Sequence, residues 1–326
     1  MSRERAFIDQ LKPLACDPAA RGLVDDAAVL DVGGTMLVLT HDMIVEGVHF
    51  LPGDPPQDVA WKLVAVNLSD LAAKGARPIG VLLGYALGSV PECDAAFVEG
   101  LRAALDAFDV PLLGGDTVRM PAGAPRAHGL TAIGKAHPAG TPSRAGARPG
   151  DVLYVTGRIG AAGLGLAIAR GERDGPANWL EAYRRPQPRL AEGRALAPLV
   201  HAMADISDGL LIDAARMAEA SGCTAMIELD RLPLSGDFIA ARGDSRDARL
   251  FAATGGDDYA LLGAFAADFD PSTLNLPKGT TITAIGSLEA GEPEIRLTSN
   301  GEPVELPERL GHEHRGLPTA PMADRP

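Results

Sequence analysis

Aspartates distributed through both halves of this 326-residue chain are the residues best suited to carry chemistry. Asp25 and Asp26 stand side by side, Asp42 follows Thr40-His41, and Asp70 lies three residues after Asn67. Asp116 follows Gly114-Gly115, while Asp205 and Asp208 flank Ile206-Ser207. Carboxylates are hard oxygen donors, and Mg2+ is commonly held by one or two of them together with substrate phosphates. Brought into one cleft, these side chains would let an acidic protein handle phosphorylated substrates through bridging divalent cations. Each has a plainer reading when taken alone. Asp25-Asp26 fits a turn or cap, and Asp70 is spaced to pair with Lys74 four residues on. The run Asp205-Ile-Ser-Asp-Gly209 fits a strand-to-helix junction with Ser207 as the helix cap, although a helix start also favours phosphate.

Other chemistries find little support. No G-x-x-x-x-G-K-[ST] run occurs, so an ordinary phosphate-binding loop is excluded, and Gly157-Arg-Ile-Gly-Ala-Ala-Gly-Leu-Gly165 lacks the G-x-G-x-x-G order of a dinucleotide loop. There is no G-x-S-x-G elbow, H-E-x-x-H helix or protein-kinase catalytic loop. Cys16, Cys93 and Cys223 are far apart and never in a Cys-x-x-Cys pair, which points away from a disulfide framework or thiolate zinc site. The net charge of −13 argues against a nucleic-acid surface. No apolar run is long enough to span a bilayer. The start of the chain lacks the apolar stretch of a secretory signal, so the expected location is the cytoplasm.

The elements that must position the aspartates follow from pattern. Strands are expected at 35–40, 79–87 and 110–113, with an amphipathic helix from Asp58 to Lys74, ended by Gly75, and a second helix from Asp94 to Phe108. The proline- and glycine-rich stretch 136–150 marks a domain boundary. Beyond it, 151–156 reads as a strand, 157–165 as a glycine-rich turn, and the residues up to Arg170 as a helix. Further strands are expected at 203–206, 224–229, 259–265 and 281–286, with a helix from Gly209 to Ala220. The fold class is therefore α/β in two domains: residues 1–138, a linker at 139–150, a second α/β domain at 151–310, and a tail at 311–326. On this plan nearly all the aspartates fall at strand or helix ends, where binding groups converge in α/β proteins.

Six segments in order, Val24-Asp-Asp-Ala-Ala-Val29, Thr40-His-Asp-Met-Ile-Val-Glu-Gly-Val-His-Phe50, Val66-Asn-Leu-Ser-Asp-Leu-Ala-Ala-Lys-Gly-Ala76, Gly114-Gly-Asp-Thr117, Asp205-Ile-Ser-Asp-Gly-Leu210 and Gly255-Gly-Asp-Asp-Tyr259, resemble the thiamine-monophosphate kinases. The resemblance implies an N-terminal domain whose sheet pairs in a homodimer, a C-terminal α/β domain, and ATP in the cleft between them. It places Asp26, Thr40, His41, Asp42, Asp70, Asp116, Asp205 and Asp208 on magnesium positions, His41 through its backbone. Gly115, Asp116, Arg144 and Ser207 fall on ATP-contacting positions, and His49, Asp257 and His312 where thiamine monophosphate is held. Asp70, Asp208 and Arg144 are then the catalytic candidates, with several Mg2+ ions as cofactors. The chain departs from the pattern at Val24 (usually glycine), His41 (threonine), Asp257 (glutamate), Ala260 (a second glutamate) and His312 (an aromatic ring). Two other readings stay open: a related ATP-dependent synthetase acting on selenide or an amide, and a non-catalytic nucleotide- or thiamine-binding regulator.

Overall fold

The computed structural model describes residues 3–88, 90–121 and 123–313. After a short helix α1 (Arg3–Leu11), the first half contains β1 (Ala28–Val32), β2 (Thr35–Val45), α2 (Pro56–Ala73), β3 (Arg77–Leu87), α3 (Pro91–Ala107), β4 (Leu112–Arg119) and β5 (Ala127–Lys135). Its strands form one sheet in the order β1-β2-β5-β3-β4, with only β3 and β4 parallel. Parallel neighbours need a crossover, and α3 supplies it.

In β2 the residues alternate between faces: Val38, Thr40 and Ile44 are buried against α2, while His41 and Met43 face outward. Helix α2 is buried nearly all round, from Val59 to Ala73, so its polar residues Lys62, Asn67, Ser69 and Asp70 must find partners inside the protein.

The second half contains β6 (Val152–Thr156), α4 (Ala161–Ala169), α5 (Ala177–Arg184), α6 (Leu190–Leu196), β7 (Val200–Ile206), α7 (Leu210–Ser221), β8 (Thr224–Glu228), α8 (Gly236–Arg242), α9 (Arg246–Thr254), β9 (Ala260–Phe265), β10 (Ile282–Glu289), β11 (Glu294–Ser299) and β12 (Glu302–Val304). Its sheet runs β12-β11-β8-β10-β6-β9-β7. The two halves meet where α2 packs against α6 and β7. This apposition brings the start of α2 near α5, where Asp54 takes bonds from Tyr183 (3.0 Å) and the Arg184 Nε–H (2.8 Å).

Three expectations need correction. The glycine-rich segment 157–165 is not a turn throughout, because α4 begins at Ala161. Gly160, in the left-handed conformation, starts that helix, and its N–H donates to the Asp258 carboxylate at 2.9 Å. Ser207 does not cap α7; Gly209 occupies the cap position without a side-chain hydrogen bond. Asp42 and Asp116 lie inside β2 and β4 and not at strand ends. Of the expected tail, 314–326 lies outside the described residues. Among the described residues, no helix is long and apolar enough to cross a membrane.

Candidate functional site

Carboxylate oxygens of Asp26, Asp70 and Asp205 lie within 4.8 Å of one another. Three elements deliver them. Asp26 precedes β1, Asp70 sits near the end of α2, and Asp205 is the penultimate residue of β7, so the cluster straddles the two halves. The Thr40 hydroxyl of β2 donates to Asp70, and the Ser69 hydroxyl donates to Asp205 at 2.6 Å. Asn67, one turn before Asp70, accepts the backbone N–H of Asp42 at 2.8 Å and so fixes β2 against α2.

Electrostatics tie the remaining carboxylates to this cluster. Burial raises the Asp70 pKa well above the ordinary carboxylate range, and the nearby Asp42, Asp205 and Asp26 raise it further. Asp42 is raised by burial and by Asp26 and Asp208, with His41 opposing. Burial, then Asp26, pushes Asp205 up to about 8. Asp208 from the second half therefore faces Asp42 from the first. Its own carboxylate is held by Arg216 at 2.6 Å, and Arg216 also pairs with the fully buried Asp213 at 2.9 Å.

Arg144 is also brought in: its guanidinium lies against Asp26, while its Nε is buried without a hydrogen-bond partner. Lys74 pairs not with Asp70, as spacing suggests, but with Asp25 and, at 2.6 Å, Asp26. The i, i+4 reading fails because Asp70 is already committed to Thr40, and both Asp25 and Asp26 reach the buried end of the helix. Burial opposes ionisation of Asp25, but Lys74 and Arg21 hold its carboxyl well below the usual range.

The donor set suits a hard divalent cation. All the gathered ligands are carboxylate or hydroxyl oxygens. Both Asp26 oxygens are buried with no directed hydrogen bond, set between the cations Lys74 and Arg144 and the carboxylates of Asp70 and Asp205. Three carboxylates held this close, two of them, Asp70 and Asp205, with raised pKa values, repel one another unless protonated or bridged by metal.

Not every candidate joins the cluster. Asp116 is exposed on the edge strand β4 and shares a rung with Gly84, Gly129 and Met43. It therefore faces the open side of the sheet with His41 and Met43, opposite to Asp42. Gly115 lies beside it. Within this chain neither reaches the aspartate cluster.

Next to the cluster opens a cavity of about 740 Å³ whose lining includes Asp42, His49, Lys62, Ser207, Asp208, Gly256, Asp257 and His312. All three residues expected at the substrate position thus share one space with the metal candidates Asp42 and Asp208. His49 Nδ1 accepts the Val45 N–H at 3.0 Å, and the His312 N–H donates to the Asp208 carbonyl at 2.8 Å. Asp257 sits at a φ of 68°, an unusual conformation for aspartate. Its N–H donates to the Ser207 carbonyl at 2.8 Å, and its carboxylate takes bonds from Lys62 Nζ (2.9 Å) and the Tyr259 hydroxyl (3.1 Å). Lys62 Nζ also donates to the His49 carbonyl at 2.9 Å and lies 4.2 Å from the centroid of the Tyr183 ring. Lys62, Lys74 and Asp213 were absent from the sequence-based candidates. Their signal was a charged side chain inside an otherwise apolar helical run.

Comparison with known proteins follows the same two halves. Residues 24–136 match the family model for the AIR synthase related protein, N-terminal domain, and residues 148–264 that for its C-terminal domain. The chain is 40% identical to thiamine-monophosphate kinase of Caulobacter vibrioides over 318 residues, covering 93% of this chain and 88% of that relative. Identity to thiamine-monophosphate kinase of Escherichia coli K12 is 36% over 311 residues, covering 91% and 92%. Among solved structures, AaThiL complexed with AMPPCP and TMP matches with a TM-score of 0.81 at 28% identity, covering 95% of this chain and 97% of that one.

Proposed function

Since the chain belongs to the thiamine-monophosphate kinase family, we propose that it transfers the γ-phosphoryl group of ATP to the phosphate of thiamine monophosphate, giving thiamine diphosphate and ADP. One observation carries this reading: Asp42 from the first half and Asp208 from the second line one cavity with His49, Asp257 and His312, and Asp42 lies beside the Asp26, Asp70 and Asp205 cluster.

A phosphate monoester has a second pKa of about 6, so the attacking oxygen is already ionised near neutral pH and no general base is required. The obstacle is repulsion between two polyanions. Asp26, Asp42, Asp70, Asp205 and Asp208, with Thr40, would hold several Mg2+ ions, and those ions would supply the charge that offsets this repulsion during in-line transfer. Arg144 adds a fixed positive charge beside Asp26, and Ser207 lies where the cavity meets the aspartates. Lys62 fixes the Asp257 carboxylate and the His49 segment around the phosphate acceptor.

The direct test is incubation of the purified protein with MgATP and thiamine monophosphate, followed by separation of the products. Thiamine diphosphate formed in step with ADP supports the reading; ADP without thiamine diphosphate contradicts it. Lys62→Met is expected to raise the KM for thiamine monophosphate about tenfold or more, the scale of a lost charged hydrogen bond, with little change in the KM for ATP. Equal increases in both would show that Lys62 does not organise the acceptor side.

We also propose a homodimer formed through the open face of the first sheet. Leu30, Val32, Met43, Leu82 and Val118 are 39–54% exposed there, an apolar surface on the side of the sheet away from α2. His41 and Asp116 lie on the same face. Leu30→Arg is expected to convert the protein from dimer to monomer in light scattering, while an unchanged dimer mass would place the interface elsewhere.

A further inference from the structure

Lys74 has no solvent-exposed surface. Its ammonium group is met by Asp25, by Asp26 at 2.6 Å, and by the Met203 carbonyl at 3.1 Å. The helix end that carries it is fixed. The Lys74 N–H bonds back to the Asp70 carbonyl at 3.2 Å, and the next residue, Gly75, turns the chain at a φ of 60°, where a Cβ would lie 2.3 Å from the Ala197 Cβ. One helix terminus thus places Asp70 in the aspartate cluster and a lysine ammonium on Asp26, a member of the same cluster. Lysine is rarely sealed inside a protein unless its charge is matched.

Resting on the metal reading given above, we propose that Lys74 is a built-in cation of the aspartate cluster, supplying part of the positive charge that Mg2+ supplies to the rest. It acts as a positioning residue, holding the Asp25 and Asp26 carboxylates in place before any divalent ion binds. The same charge repels the incoming ion. Removing it therefore leaves the metal-free protein with less compensated carboxylates and makes the cluster more attractive to Mg2+. Both effects enlarge the stabilisation that Mg2+ confers.

The test uses the full chain bearing Lys74→Met or Lys74→Gln, with Lys74→Arg as the charge-preserving control. Thermal unfolding is followed in chelator and in saturating MgCl2, without nucleotide, and Mg2+ binding is measured by calorimetry. In chelator, the two neutral variants are expected to melt about 5 °C or more below the wild type, as follows from breaking a buried ion pair. They are also expected to bind Mg2+ at least about tenfold more tightly, given the repulsion between a single and a double positive charge a few ångströms apart. Their Mg2+-induced rise in melting temperature exceeds that of the wild type, and Lys74→Arg behaves as the wild type.

Lowered melting with unchanged Mg2+ affinity and an unchanged Mg2+-induced rise would reduce Lys74 to a packing residue and overturn the proposal. Neutral variants that remain unfolded in saturating MgCl2 would overturn it as well, because Mg2+ is expected to restore them. A wild type that binds no Mg2+ would instead refute the metal reading on which the proposal stands.

Discussion

Asp70→Asn is expected to lower phosphoryl transfer by about a thousandfold or more, the loss expected when a charge-bearing ligand of a catalytic metal site is removed. Without metal, the same variant is expected to melt at or above the wild-type temperature. Asp70 is buried among Asp42, Asp205 and Asp26, and its carboxyl is pushed well above its usual pKa by burial and by these neighbours. A neutral amide of the same shape relieves the repulsion and can still accept the Thr40 hydroxyl bond through its carbonyl oxygen. Turnover rates and melting curves in chelator on the same preparation check both halves. A variant that is inactive and also strongly destabilised would make Asp70 a structural residue. Near-normal turnover would remove it from the metal site.

The second large effect is on stability as a function of pH. Burial, reinforced by Asp26, raises Asp205 to about 8; burial, against the donated bonds of Gly160 and Ala162, raises Asp258 to about 8; burial raises Asp213 to about 6 despite Arg216 and Arg144. Each folded-state pKa exceeds the ordinary aspartate value of 3.8. Between about pH 4 and pH 8 the unfolded chain therefore binds fewer protons than the folded one, and stability falls as pH rises, on the order of 1 kcal/mol per pH unit for each group that stays protonated. Asp25 works in the opposite sense, contributing stability above its unfolded pKa and losing it only in strong acid.

Mg2+ changes this balance, because a metal requires deprotonated ligands and its binding gains strength as pH rises. Urea unfolding at pH 5 and pH 8 is thus expected to show a marked loss of stability in chelator and a smaller loss, or none, in saturating MgCl2. Equal stability at both pH values in chelator would contradict the buried-carboxylate account.

Much of this site was legible in the sequence because local rules act on short segments. The strand carrying Thr40 and Asp42 and the helix ended by Gly75 are placed by periodicity and capping. Their partners are not. Nothing in the spacing of Asp70 and Lys74 reveals that Thr40 and Asp26 arrive from other elements and separate the two. Asp116 shows a related limit: its neighbourhood depends on strand order and on which face of the sheet it occupies, both set by pairing across the chain.

Strand β5 passed unrecognised because Gly129 and Gly134 weaken its strand character, although Leu130 and Ala132 are fully buried on its inner side. The β11–β12 hairpin, absent from the expected strands, turns at Asn300-Gly301, both at positive φ as a tight two-residue turn requires. Lys62 and Lys74 could be noticed as charges within an apolar helix, but their roles as clamps on Asp257 and Asp26 depend on residues about 195 and 48 positions away, a distance that folding alone closes.

The account depends most on where divalent ions bind. A crystal of the full chain grown with MnCl2, a non-hydrolysable ATP analogue and thiamine monophosphate, with data collected at the manganese edge, would locate them by anomalous scattering. Peaks bridging Asp26, Asp70 and Asp205, with another between Asp42 or Asp208 and the nucleotide phosphates, are the predicted result. An ATP analogue bound with no anomalous peak at these aspartates would contradict it.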